Sequence, residues 1–148
     1  MIYTKTIKKA MKIAYNAHDG QFDKSGVPYI YHPIHLAEQM TDEVTIITAL
    51  LHDVIEDTNY TIDDLRAEGI PEICLEALCL LTHKSHESYT QYIYNLKQNP
   101  IARVVKLADL KHNSDITRLN VIDEKAKKRL EKYAEAILFL QENDDLNK

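Results

Sequence analysis

Three glycines and four prolines in 148 residues leave this chain few places to turn, and each lies where a helix would start or stop. Between them apolar residues recur three and four apart, so the expected fold class is all-α. Ile7, Ala10, Met11, Ala14, Ala17 and His18 mark one face of a first helix, which Asp19-Gly20 ends. A loop, GQFDKSGVPYIYH, follows. Pro33 suits the first position of a second helix, where its missing N–H costs nothing, with His32 as the N-cap. A third helix is expected from Glu43 to Asp57. A fourth opens on a capping box of Thr61 and Asp64, and Gly69 with Pro71 separates it from a fifth reaching Thr82. Ser88 and Gln91 make a second such box, and Asn99-Pro100 breaks that helix before PIARVVKLADLKHNSD begins the next. The last, Asp123 to Glu142, is expected to bury Ala126, Leu130, Tyr133, Ala134, Ile137 and Leu138. The pattern amounts to about seven to eight helices in one domain over residues 1–148.

A composition of 45% hydrophobic and 28% charged residues is that of an ordinary folded domain and excludes disorder. The net charge of -5 speaks against a broad nucleic-acid surface, which needs a basic face. It is compatible with a small-molecule partner and with a homo-oligomer. Cys74 and Cys79 are five apart, about 140° around a helix, and read as buried unpaired thiols in a reducing cytoplasm. Lys5, Lys8, Lys9 and Lys12 interrupt the N-terminus, so neither a secretion signal nor a membrane span is expected.

The chemistry concentrates in the third helix. Ile46, Ile47, Ala49, Leu50 and Leu51 lead into His52-Asp53, and Glu56-Asp57 follow a turn later. Residues four apart share a helix face, which sets His52 over Glu56 and Asp53 over Asp57. An unpaired buried carboxylate costs several kcal/mol, so this crowding points to a bound cation or a proton relay. His32, Asp109 and Asn113, one turn beyond Asp109, join them. Two imidazoles and two carboxylates suit Mn²⁺, Fe²⁺ or a similar divalent ion and leave coordination positions open; they do not make the thiolate cage of structural zinc. The remaining histidines have plainer readings: His35 on a helix surface, His83 and His86 in a polar loop, His112 packing or lining the pocket.

In order along the chain, GVPYIYHP, LLHDVIEDT and VKLADLKHN resemble the HD-domain phosphohydrolases. The likeness is to the hydrolase half of the bifunctional Rel/Spo alarmone enzymes and to the free-standing small alarmone hydrolases, from about Ala10 to Tyr133. It implies an HD-domain helical bundle with one divalent metal, Mn²⁺ by preference, on His32, His52, Asp53 and Asp109, and a catalytic acidic pair, Glu56 and Asp57. The implied reaction is hydrolysis of guanosine tetra- or pentaphosphate at the 3′ oxygen to pyrophosphate and GDP or GTP. Lys24 and Lys84 then match phosphate-binding lysines, Asn113 a contact to sugar or base, and Arg129 with Tyr133 a pair on the late helix. Which acidic residue activates water stays open. Two departures stand out: Asp23 replaces the usual Arg beside Lys24, and Leu110-Lys111 replaces Arg-Leu after Asp109. A carboxylate near so anionic a substrate costs ~1 kcal/mol or more, so Asp23→Arg is expected to lower KM. The departures keep two alternatives in view: a phosphohydrolase of the same fold acting on another nucleotide, and behind it a non-catalytic nucleotide-binding regulator. A synthetase domain is not expected within these 148 residues.

Overall fold

In a computed structural model, described over residues 1–142, the chain forms nine α-helices and a 3-10 turn among the described residues. The helices are α1 (Lys5–Ala17), α2 (Tyr31–Glu38), α3 (Glu43–Leu51), α4 (Val54–Asp57), α5 (Ile62–Ala67), α6 (Glu72–Leu81), α7 (Tyr89–Lys97), α8 (Pro100–Asn113) and α9 (Glu124–Gln141), with the 3-10 turn at Ile116–Arg118 between the last two. Among the described residues no helix is long and apolar enough to cross a membrane.

The centre is α3. Every residue from Thr45 to Leu51 is buried, as befits a helix apolar on all sides, and α1, α2, α6 and α8 pack around it. Its start is fixed by Asp42, whose carboxylate accepts the Thr45 N–H at 2.8 Å. Asn99 caps α8 through two backbone N–H groups at 3.0 Å each, with Pro100 in the first turn. The expected capping box of Thr61 and Asp64 is present on α5. On α7 only Ser88 caps; the Gln91 side chain donates instead to Asn95.

Four expectations from the sequence change. The third helix is interrupted: α3 stops at Leu51, Asp53 turns the chain at φ -107° and ψ 1°, and α4 restarts at Val54. The second helix begins two residues before Pro33, at Tyr31, so His32 lies inside its first turn instead of capping it. On α9, which packs against α8 and α7, the buried residues are Ala126, Ala136 and Leu140, while Ala134 and Leu138 are exposed. Cys79 is exposed; only Cys74 is buried.

Candidate functional site

The break after α3 is what builds the site. A continuous helix would stack His52 on Glu56; the turn at Asp53 instead aims His52 and Asp53 together toward α2 and α8. His32 from α2 and Asp109 from α8 complete a quartet in which one ligand atom from each residue lies within 4.8 Å of the others. His32, His52 and Asp109 are buried, Asp53 partly so.

The donor set fits a cation. The His52 Nδ1–H donates to the Ala49 carbonyl at 2.8 Å, and because a carbonyl can only accept, Nε2 is left to present its lone pair. That Nε2 is buried without a hydrogen-bond partner, 2.9 Å from Asp53 Oδ2 and 3.5 Å from Asp109 Oδ1. A lone pair facing two carboxylate oxygens is unfavourable unless positive charge enters between them. When none does, the ring takes up a proton: burial opposes that, yet Asp53 and Asp109 raise the His52 pKa well above its ordinary value.

Asp109 is held ready. Burial opposes its ionisation, but Lys106 Nζ lies 2.9 Å from Oδ2, and with His32 it keeps the carboxyl well below the usual carboxylate range. Oδ1 faces His32 Nε2 at 2.8 Å and accepts from Asn113 Nδ2 at 3.0 Å. Tyr29 OH donates to Asp53 Oδ2 in a short hydrogen bond. His32 Nδ1 meets His112 Nδ1 at 2.7 Å. Each of these contacts restricts the orientation of a quartet side chain.

The acidic pair sits on α4 beside the quartet. His83 N–H donates to Glu56 Oε1 at 2.7 Å, which ties that carboxylate to the loop after α6. Burial, then Asp53 and Glu56, push the Asp57 carboxyl up to about 6.

Next to the quartet lies a cavity of about 340 Å³. Lys24, Asn113, Arg129 and Tyr133 all line it, with Tyr29 and Arg118. Burial and, after it, the Arg129 charge lower the Lys24 pKa, while Asp123 raises it. Lys84 is elsewhere: its ammonium lies 3.5 Å from the Cys79 carbonyl at the end of α6, and it is not among the cavity's lining residues.

The two departures take on different meanings. Leu110 is buried in the core and does not face the site. Asp23 is a loop former: its Oδ1 accepts the Ser25 and Val27 N–H groups at 2.9 and 3.0 Å, and its other oxygen lies 3.7 Å from Arg118 Nη2. Arg118 also donates to the His112 carbonyl and to Asn113 Oδ1, while its own carbonyl accepts from Ser25 Oγ at 2.5 Å. The charge expected to repel substrate is thus balanced by an arginine from another segment, and Asp23→Arg would set two guanidiniums together and unpin the Lys24 loop.

Sequence reasoning missed Tyr29, Lys106 and Arg118 as working parts of the site, and left His112 between packing and lining the pocket. Lys106 was the most findable: it lies three residues before Asp109, hence on the same helix face. A lysine on a buried face beside a candidate ligand signals a pair. Arg118 gives no such signal, since only the folded loop brings it to Asp23.

Known proteins resemble this chain in sequence and in fold. The GTP pyrophosphokinase of Streptomyces coelicolor is 33% identical over 143 residues, covering 86% of this chain and 17% of that protein. The bifunctional (p)ppGpp synthase/hydrolase SpoT of Escherichia coli K12 is 34% identical over 123 residues, covering 74% of this chain and 18% of SpoT. The chain therefore spans about a sixth of the length of these curated relatives. A solved structure described as a metazoan ortholog of SpoT that hydrolyzes ppGpp and plays a role in starvation responses shares the fold with a TM-score of 0.78. Its identity is 21%, over 99% of this chain and 91% of that one. The HD domain family model matches residues 10–137, a span that takes in all four quartet residues, the acidic pair and the lining of the cavity. By that match the chain belongs to the HD domain family.

Proposed function

We propose that this chain is a metal-dependent phosphohydrolase that removes pyrophosphate from the 3′ position of guanosine tetra- or pentaphosphate, leaving GDP or GTP. The observation that carries the reading is the adjacency of two features: the His32, His52, Asp53 and Asp109 quartet, and a cavity lined by Lys24 and Arg129. The relatives' printed activities on (p)ppGpp support the substrate.

His32, His52, Asp53 and Asp109 would hold a divalent ion, Mn²⁺ in this proposal, which would supply polarisation of a phosphoryl oxygen and a more acidic water. The chain's residues do the rest. Glu56, steadied by the His83 N–H, takes the proton from the attacking water. Asp57, whose carboxyl pKa is pushed up by burial, Asp53 and Glu56 in the metal-free protein, gives its proton to the leaving 3′ oxygen. Lys24 and Arg129 neutralise phosphate charge, Tyr133 packs against the nucleoside, and Asn113 steadies Asp109 at the cavity wall. Lys84 joins only if its side chain leaves the Cys79 carbonyl. The unbridged thiols Cys74 and Cys79 fit a cytoplasmic site of action.

A second reading rests on that lysine. With Lys84 turned away, the cations lining the cavity are Lys24, Arg118 and Arg129, and Arg118 is paired with Asp23, which favours a less charged nucleotide handled by the same centre. One experiment separates the two: purified protein with Mn²⁺, presented with guanosine tetraphosphate and with ordinary nucleoside mono-, di- and triphosphates. Pyrophosphate release from the tetraphosphate supports the first reading. Orthophosphate alone, or turnover confined to simple nucleotides, rejects it in favour of the second.

A further inference from the structure

The rings of His32 and His112 lie 4° from parallel with centroids 5.0 Å apart, and their Nδ1 atoms are 2.7 Å from each other. Face-to-face stacked rings cannot bring two nitrogens so close, because π-surfaces touch at about 3.5 Å. The two imidazoles therefore share a plane, Nδ1 pointing at Nδ1, in a geometry that only an N–H···N hydrogen bond produces. One proton lies between them, and one nitrogen must accept.

On the face of its ring His112 stacks on His35 at a centroid distance of 4.0 Å, and its carbonyl accepts from Arg118 at 2.9 Å. The ring is thus clamped by a neighbouring imidazole and by its own backbone. It also lines a second cavity, about 630 Å³, that gives it access to solvent.

We propose that His112 is a positioning residue for the metal centre: it sets the tautomer of His32 by accepting the Nδ1–H, so that Nε2 presents its lone pair to a cation. The inference rests on the metal reading of the quartet. The ionised Asp109 can only accept, so in the cation-free protein the 2.8 Å contact assigns a proton to His32 Nε2 and leaves Nδ1 to accept from His112. For Nε2 to act as a ligand, its proton leaves to solvent, the shared proton passes from His112 to His32 Nδ1, and His112 takes one from solvent at its own Nε2. The pair holds two ring protons before and after, and its charge does not change.

The test measures Mn²⁺ affinity, not turnover, by competition with a chelating dye. His112→Phe keeps an aromatic face for His35 but removes the acceptor, and His112→Gln restores an acceptor in the form of an amide oxygen. Loss of a hydrogen bond to a ligating histidine weakens metal binding 10–100-fold in other sites, and about that loss is expected for His112→Phe, with most of it recovered in His112→Gln. Nitrogen-15 spectra of the Zn²⁺-loaded wild type should show the proton of the His32 ring on Nδ1. Unchanged affinity in His112→Phe, or equal weakening in both variants, overturns the proposal. Absence of Mn²⁺ binding by the wild type overturns the metal reading and this inference with it; wild-type binding with an unaffected His112→Phe overturns the inference alone.

Discussion

Replacing Lys106 by Met should destabilise the protein much more without metal than with it. The Lys106 ammonium is 2.9 Å from Asp109 Oδ2, and the two side chains are 14% and 6% exposed. Breaking a buried ion pair from one side typically costs 3–5 kcal/mol, because the remaining charge is stranded. Asp109 keeps its contacts to His32 and Asn113, and Met fills the lysine stem's volume, so the loss should fall near the lower end, about 3 kcal/mol. For a chain of this length that is roughly 6–12 °C in Tm. A bound divalent cation supplies the positive charge that Lys106 gave, and the ammonium no longer competes with it. The variant should therefore bind metal more tightly, each tenfold gain returning about 1.4 kcal/mol. Urea unfolding of both proteins, in chelator and in excess Mn²⁺, measures all four stabilities. An equal loss in both conditions, or a loss under about 1 kcal/mol in chelator, would refute the idea that Lys106 holds the charge of an unfilled ligand.

Three further outcomes are expected. Glu56→Gln and Asp57→Asn should each lower turnover at least ~100-fold with metal content near wild type; near wild-type rates would reassign that carboxylate to support. Asp57→Asn should also stabilise the metal-free protein above pH 6 by up to about 1 kcal/mol, given solvent screening. The sign follows from its raised pKa: the folded protein holds that proton up to about pH 6 while the unfolded chain releases it near 4, so stability falls between those values and Asn abolishes the fall. A variant gain that persists unchanged at pH 4 would contradict this. Finally, Asp23→Arg should raise KM instead of lowering it, through loss of the loop's backbone caps and repulsion of Arg118, and a drop in KM would restore the simple picture of Asp23 as a repulsive charge.

The elements were legible where local chemistry decides them. Asp42, Ser88, Asn99 and Asp123 cap helices by accepting N–H groups two or three residues ahead, and such short-range bonds are written in the spacing of the residues themselves. The break at His52-Asp53 was not legible, because helix periodicity continues smoothly into Glu56 and Asp57; what ends α3 is the convergence of its last turn on His32 and Asp109, which no local window contains. The same distinction divides the site. The quartet could be named from residue types set among apolar runs, where a buried charge demands a partner. What that partner is depends on contacts such as Asp23 with Arg118, 95 positions apart in sequence, and His32 with His112, 80 apart. For this reason Asp23 looked like a liability in the sequence and acts as a loop anchor in the fold: a carboxylate's effect on an anion depends on whether a cation already neutralises it, and at 3.7 Å Arg118 does.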